Sequence, residues 1–148
     1  GRLEVALKGR ELLAARLSDL KLRHLDAWTA ARQENAARYD EMFAGLEERI
    51  RTPVTRPGNR HIFNQYVIEV DDRDGLQASL KARDIGSEVY YPVPLHLQEC
   101  FAPLGYREGD CPEAERASSE ALSLPVYAEL RPEEQEYVIS KIKEFYAR

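Results

Sequence analysis

The sequence predicts an α+β fold: a small, mainly antiparallel sheet covered by helices, with a long N-terminal helical arm. Three observations predict it. Apolar residues recur at three- and four-residue steps through most of residues 12–50, the repeat of an amphipathic helix. The period then switches to two, with Tyr66, Ile68 and Val70 on one face of a β-branched and aromatic run. Beyond that run, short strand-like and helix-like segments alternate, an order that suits helices packed on a small sheet.

Each element has its own signal. Leu12, Leu13, Leu17, Leu20 and Leu25 mark a first helix, and Gly9 is its weak point. Asp26-Ala27-Trp28 opens a second helical stretch, expected to run to about residue 50. Its inner face carries Trp28, Ala31, Tyr39, Met42, Phe43 and Leu46. One bent helix, or two helices joined near Asp26, both fit. Pro53, Pro57 and Gly58 make residues 51–60 a loop. A strand is expected over 62–70. A helix capped by Asp71-Asp72 follows over 73–83, with Leu76 and Leu80 inward. Residues 88–91 read as a short strand, stopped by Pro92 and Pro94, which lack the donor a ladder needs. Residues 95–101 read as a helical turn, 113–121 as a short helix and 122–126 as a short strand. Pro132, Glu133 and Glu134 start a last helix to about residue 146, burying Val138, Ile139, Ile142 and Phe145. Residues 1–50 thus form the arm and residues 51–148 the α+β domain.

A 148-residue chain with 43% hydrophobic residues needs neither disulfide nor metal to fold, since a domain of this size buries roughly 70% of its unfolded surface. Cys100 and Cys111 have no zinc-type spacing. The net charge of −5 argues against a nucleic-acid partner. No apolar run approaches the ~20 residues of a membrane span, and no apolar signal segment follows Gly1-Arg2-Leu3-Glu4. A cytoplasmic location is therefore expected.

Chemistry is sparse. His24 reads as a solvated residue on a charged helix face, and His61 sits at a strand start. His96 lies in Tyr90-Tyr91-Pro92-Val93-Pro94-Leu95-His96-Leu97-Gln98. Two prolines lower the ordering cost of that loop, and its phenols, imidazole and amide offer stacking and hydrogen bonds. A loop merely packed by its aromatics is the alternative. No nucleophile elbow, phosphate loop, dinucleotide fingerprint or zinc-protease motif is present.

Four stretches resemble the DegT/DnrJ/EryC1/StrS family of nucleotide-sugar aminotransferases. They are Lys21-Leu22-Arg23-His24-Leu25-Asp26-Ala27-Trp28 with Arg32, Asn35, Ala36 and Tyr39; His61-Ile62-Phe63-Asn64-Gln65-Tyr66-Val67-Ile68; residues 85–98; and Ala114-Glu115-Arg116-Ala117 with residues 122–127, Glu129 and Leu130. Together they span about residues 21–147 and are similar to the family's C-terminal, small domain, part of a fold-type I enzyme. The resemblance implies a pyridoxal phosphate cofactor, a keto nucleotide-sugar substrate, glutamate as the common amino donor and a homodimer. It also implies that the cofactor lysine, the acid facing the pyridine nitrogen and the phosphate cup belong to a large domain not matched here. The five lysines, Lys8, Lys21, Lys81, Lys141 and Lys143, match no such motif, so no cofactor is expected on this chain alone. By the same resemblance Tyr90, Tyr91 and His96 face the substrate, with His61 and Asn64 as secondary candidates. Tyr90 stands where many members have histidine.

Residues 1–20 depart from the pattern. The family's Asn-x-Arg-x-Asp stretch falls at Leu7-Lys8-Gly9-Arg10-Glu11 and lacks its asparagine. A shortened or redesigned unit, with this helix covering surface normally buried by the large domain, is one expectation; a divergent natural relative is the other. Two functions follow: a part-enzyme inactive alone, or a stand-alone scaffold that associates through the arm's apolar stripe.

Overall fold

The structure, a computed structural model, describes residue 16 and residues 18–147. Residues 12–15 and 17 of the first expected helix therefore lie outside the described residues. Of its end, residues 18–22 are helical and residues 23–24 form a turn. Helix α1 (Leu25–Phe43) follows, so the bend expected near Asp26 separates two helical pieces. Within the described part of the expected arm, residues 16 and 18–27 are exposed, whereas α1 beyond Trp28 packs on the domain. Asn35, Ala36, Tyr39 and Phe43 of α1 are buried, at three- and four-residue steps, and the last three belong to the main core.

α1 stops well before residue 50. Ala44 turns extended, and Gly45 takes φ of +86°, a left-handed conformation that costs glycine little. The chain reverses, and Ile50, expected at a helix end, instead begins strand β1 (Ile50–Arg51). β1 pairs antiparallel with β2 (Tyr66–Val70), Ile50 opposite Val70. β2 starts four residues later than the period suggested. Phe63 holds a positive φ of 45°, and its amide bonds to His61 Nδ1 at 3.0 Å, which curls residues 61–64 out of the sheet. From Tyr66 the expected alternation holds, with Tyr66, Ile68 and Val70 fully buried.

Helix α2 (Arg73–Lys81) buries Leu76 and Leu80. The Asp72 carboxylate caps it by accepting from the Gly75 amide at 3.1 Å. A Cβ on Gly75 would collide with that carboxylate. The strand expected over 88–91 reduces to one bridge, Glu88 opposite Ser123. Pro92 and Pro94 cannot extend the ladder, and two short 3₁₀ turns follow (Leu95–Leu97 and Glu99–Leu104). Helix α3 (Pro112–Glu120) leads directly into strand β3 (Ala121–Leu124), which pairs antiparallel with β2, Ile68 opposite Leu122. Helix α4 (Pro132–Tyr146) closes the fold with Gln135, Val138, Ile139 and Ile142 buried. The sheet order is β1-β2-β3, and one apolar core joins α1, α2, α4 and all three strands. Among the described residues no helix is long and apolar enough to cross a membrane.

Candidate functional site

α1 positions the loops that border the main concavity. Arg32 Nε donates to the Ile62 carbonyl at 3.1 Å, and Gln33 Nε2 to the His61 carbonyl at 2.7 Å. These bonds pin the curled segment that carries Asn64. Asn35 Nδ2 donates to the Tyr127 carbonyl at 2.8 Å, and Tyr39 Oη to the Pro125 carbonyl at 3.1 Å. Burial pushes the Tyr39 phenol far above its ordinary range, so it stays a neutral donor. The segment after β3 is thereby held against the helix.

The resulting cavity encloses about 780 Å³. Asn64 and Tyr90 stand on its lining with Asp84, Glu88, Glu133 and Glu134, and none of the described lysines or arginines lines it. Glu134 is engaged: Arg131 Nη2 lies 2.8 Å from its Oε1, and the Arg131 amide donates to Oε2 at 3.0 Å. The Arg131 side chain and amide hold this carboxyl below the usual carboxylate range. The cavity is thus acidic and phenolic, a poor environment for a phosphate group.

The expected site residues divide. Asn64 and Tyr90 meet at the main cavity. His61 joins Asn64 in a separate concavity of about 390 Å³, beside Pro53 and Arg60. Tyr90 is 52% exposed and Tyr91 77% exposed. They border one small hollow of about 200 Å³ with Gln65, Val67 and Ala117, and a wider one of about 500 Å³ with Pro92, Val93, Leu97 and Glu99. His96 is not brought to either wall. Its side chain is only 8% exposed, and its Nε2 lies 2.9 Å from Glu115 Oε1. The ring meets Tyr106 edge-on, centroids 6.4 Å apart. Glu115 and Tyr106 are the residues that sequence reasoning left without a role. Glu115 stood inside a quoted motif, but a pair nineteen positions apart has no periodicity to reveal it. Among the described residues no cluster of His, Cys, Asp or Glu is arranged to hold a metal.

A three-stranded antiparallel sheet backed by helices, with an exposed proline-stiffened aromatic segment at its edge, defines a small α+β domain of the kind found in aminotransferases. The chain belongs to the DegT/DnrJ/EryC1/StrS aminotransferase family, whose pattern matches residues 7–143 and so begins inside the segment set apart by motif. It is 51% identical over 140 residues to a pleiotropic regulatory protein of Geobacillus stearothermophilus, covering 92% of this chain and 37% of that protein. It is 36% identical to a dTDP-3-amino-3,4,6-trideoxy-alpha-D-glucose transaminase of Streptomyces venezuelae, covering 87% and 34%. The crystal structure of S. venezuelae DesV in complex with a ketimine intermediate superimposes with a TM-score of 0.83 at 35% identity, over 88% of this chain and 35% of that one. The chain therefore spans little more than a third of the length of these relatives.

The family implies pyridoxal phosphate, which needs an amine for an imine, an acid at the ring nitrogen and a cup of donors for its phosphate. The described residues do not fit it. Lys21, Lys81 and Lys143 are exposed. Lys141 pairs with Glu144 and lies 5.3 Å from the centre of the Tyr137 ring. None of the four lines a cavity described above, and the cavity of about 780 Å³ presents carboxylates where a phosphate would need cations.

Proposed function

We propose that this chain is the C-terminal, small domain of a pyridoxal-phosphate-dependent nucleotide-sugar aminotransferase. It supplies one wall of the sugar-nucleotide site and none of the cofactor machinery. The observation that carries this reading is a family match over 7–143 on a chain whose main cavity is lined by none of the described lysines or arginines. The substrate-facing wall is Tyr90 and Tyr91, with Asn64 at the rim and His61 behind it. Their exposed phenols, amide and imidazole offer hydrogen bonds and stacking that orient a sugar. The imine, and every proton transfer at the cofactor, belong to the family's large domain, and the working enzyme is a homodimer of complete subunits in the cytoplasm. The chain alone is inactive, because one open wall leaves the ligand solvated and exchanges water contacts for protein contacts with little net gain.

Titration of the ¹⁵N-labelled chain with a dTDP-sugar tests the assignment. The expected result is weak binding, with a Kd of about a millimolar, and amide shifts gathered on Asn64, Tyr90 and Tyr91. Shifts gathered instead on Glu133, Glu134 and Tyr137 would overturn the placement of the wall. No response at all at saturating ligand would overturn the wall itself.

A further inference from the structure

We infer that His96 is a positioning residue. Joined to Glu115, it forms a clasp that fastens the exposed segment 90–105, and with it the Tyr90–Tyr91 wall, to the first turns of α3. What that wall binds rests on the reading above; the clasp itself does not.

The geometry is specific. The Glu115 carboxylate accepts from His96 Nε2 at 2.9 Å, from the Gly109 amide at 2.9 and 3.0 Å through its two oxygens, and from the Cys111 amide at 3.3 Å. One carboxylate therefore ties a 3₁₀ turn, the loop after it and the start of α3 together. The Gly109 amide first, and then His96 and the Cys111 amide, hold this carboxyl below its ordinary range. An ionised carboxylate only accepts, so the proton of the contact sits on His96 Nε2.

No neighbouring charge competes. The Asp110 carboxylate takes the Arg107 amide at 2.8 Å. The Arg116 guanidinium is occupied by Glu69, Glu113 and Glu120. Tyr106 meets the imidazole only by its ring edge.

Among the described residues the segment has no other polar tether. Its own bonds are local: Leu97 amide to Pro94, Gln98 amide to Leu95, Phe101 amide to Gln98, and Gln98 Nε2 to Val93. The sheet lets go of the chain at Glu88, which pairs with Ser123. Among the described residues, His96 to Glu115 is the one hydrogen bond that leaves residues 90–105 for another part of the chain. Leu95 and Leu104 are strongly exposed, so apolar burial at those positions does not replace it. This accounts for the near-complete burial of an imidazole in a segment that is otherwise exposed.

Hydrogen exchange on the whole chain, with no ligand present, tests the clasp. Glu115→Ala and His96→Phe are expected to speed exchange at Leu97, Gln98 and Phe101 by about tenfold or more, as loss of a charge-assisted bond implies. Core amides at Ile68 and Ile139 keep their wild-type protection. His96→Gln places an amide donor near the position of Nε2, so it restores protection at the three loop amides and returns the Tyr90 and Tyr91 ring signals to their wild-type positions. Unchanged loop amides in the first two variants would overturn the inference. So would a His96→Gln chain as open as His96→Phe, or equal loosening of the core amides, which would make the contact a support of the whole fold. A chain that binds no dTDP-sugar but shows the expected exchange pattern leaves the clasp standing and removes only the reading of the wall.

Discussion

Replacing Gln135 by Leu removes the polar joint between α1 and α4. Gln135 is 0% exposed. Its Oε1 accepts from Arg38 Nη1 at 2.6 Å, and its Nε2 donates to the Asn35 carbonyl at 2.9 Å. The first bond is charge-assisted and is worth about 1.5–3 kcal/mol; the second is neutral and worth about 1 kcal/mol. Arg38 keeps a weaker contact to Asn35 Oδ1 at 3.2 Å, which softens the loss, and the leucine gains about 1–2 kcal/mol of apolar burial. The net cost is about 0.5–3 kcal/mol, a visible part of a total stability of about 5–15 kcal/mol. Urea denaturation, read as a lower midpoint at unchanged slope, measures it. The double variant Arg38→Met, Gln135→Leu is the sharper arm. It removes donor and acceptor of the charge-assisted bond together, leaving only the Asn35 carbonyl and Oδ1 without those donors, and it recovers part of the loss. A Gln135→Leu chain as stable as wild type, or a double variant no better than the single one, would refute this account of the joint.

Ile68→Ala and Ile142→Ala, each at a fully buried position, are expected to lower stability by about 2–5 kcal/mol in the same assay. Tyr146→Phe goes the other way: the Tyr146 hydroxyl is buried with no hydrogen-bond partner among the described residues and its pKa is raised to about 12 by burial, so its removal leaves the denaturation midpoint equal or higher. Glu69 accepts from Arg116 at 2.8 Å and Arg51 at 3.0 Å, and Arg116 first, then Arg51, holds its carboxyl below the ordinary value. A lowered folded pKa stabilises above the unfolded pKa of about 4.3 and loses that contribution as pH falls through the folded value. The stability gap between wild type and Glu69→Gln is therefore largest near neutral pH and shrinks under acid; a gap that grows on acidification would reverse the sign.

How much of this was legible in the sequence depends on the range of each interaction. Tyr66, Ile68 and Val70 alternate, and the structure buries all three. Leu76 and Leu80, four apart, turn inward as their spacing implied. Ile50 was misplaced because a two-residue strand has no period, and the helical repeat reads through it; Gly45, with its positive φ, was the signal that the helix had ended. Residues 88–91 looked β-like, yet only Glu88 finds a partner, and Pro92 and Pro94 cannot carry the ladder further. At the candidate site, family motifs brought forward Tyr90 and Asn64, which do share a cavity. They also brought forward His96, whose ring is turned to Glu115. Polar character was readable there, but direction was not, since it is set by a carboxylate nineteen residues away. The same limit hid Gln135, whose partners in α1 lie about a hundred positions earlier.

The central claim is that this chain carries a substrate wall without the cofactor's chemistry. Turnover tests it most directly: the purified chain, free of any partner, is incubated with pyridoxal phosphate, glutamate and a dTDP-keto-sugar, and amino-sugar nucleotide is sought by mass spectrometry. The account predicts none, since the described lysines are exposed or paired and none lines a cavity. Amino-sugar nucleotide formed in proportion to the chain added would contradict it.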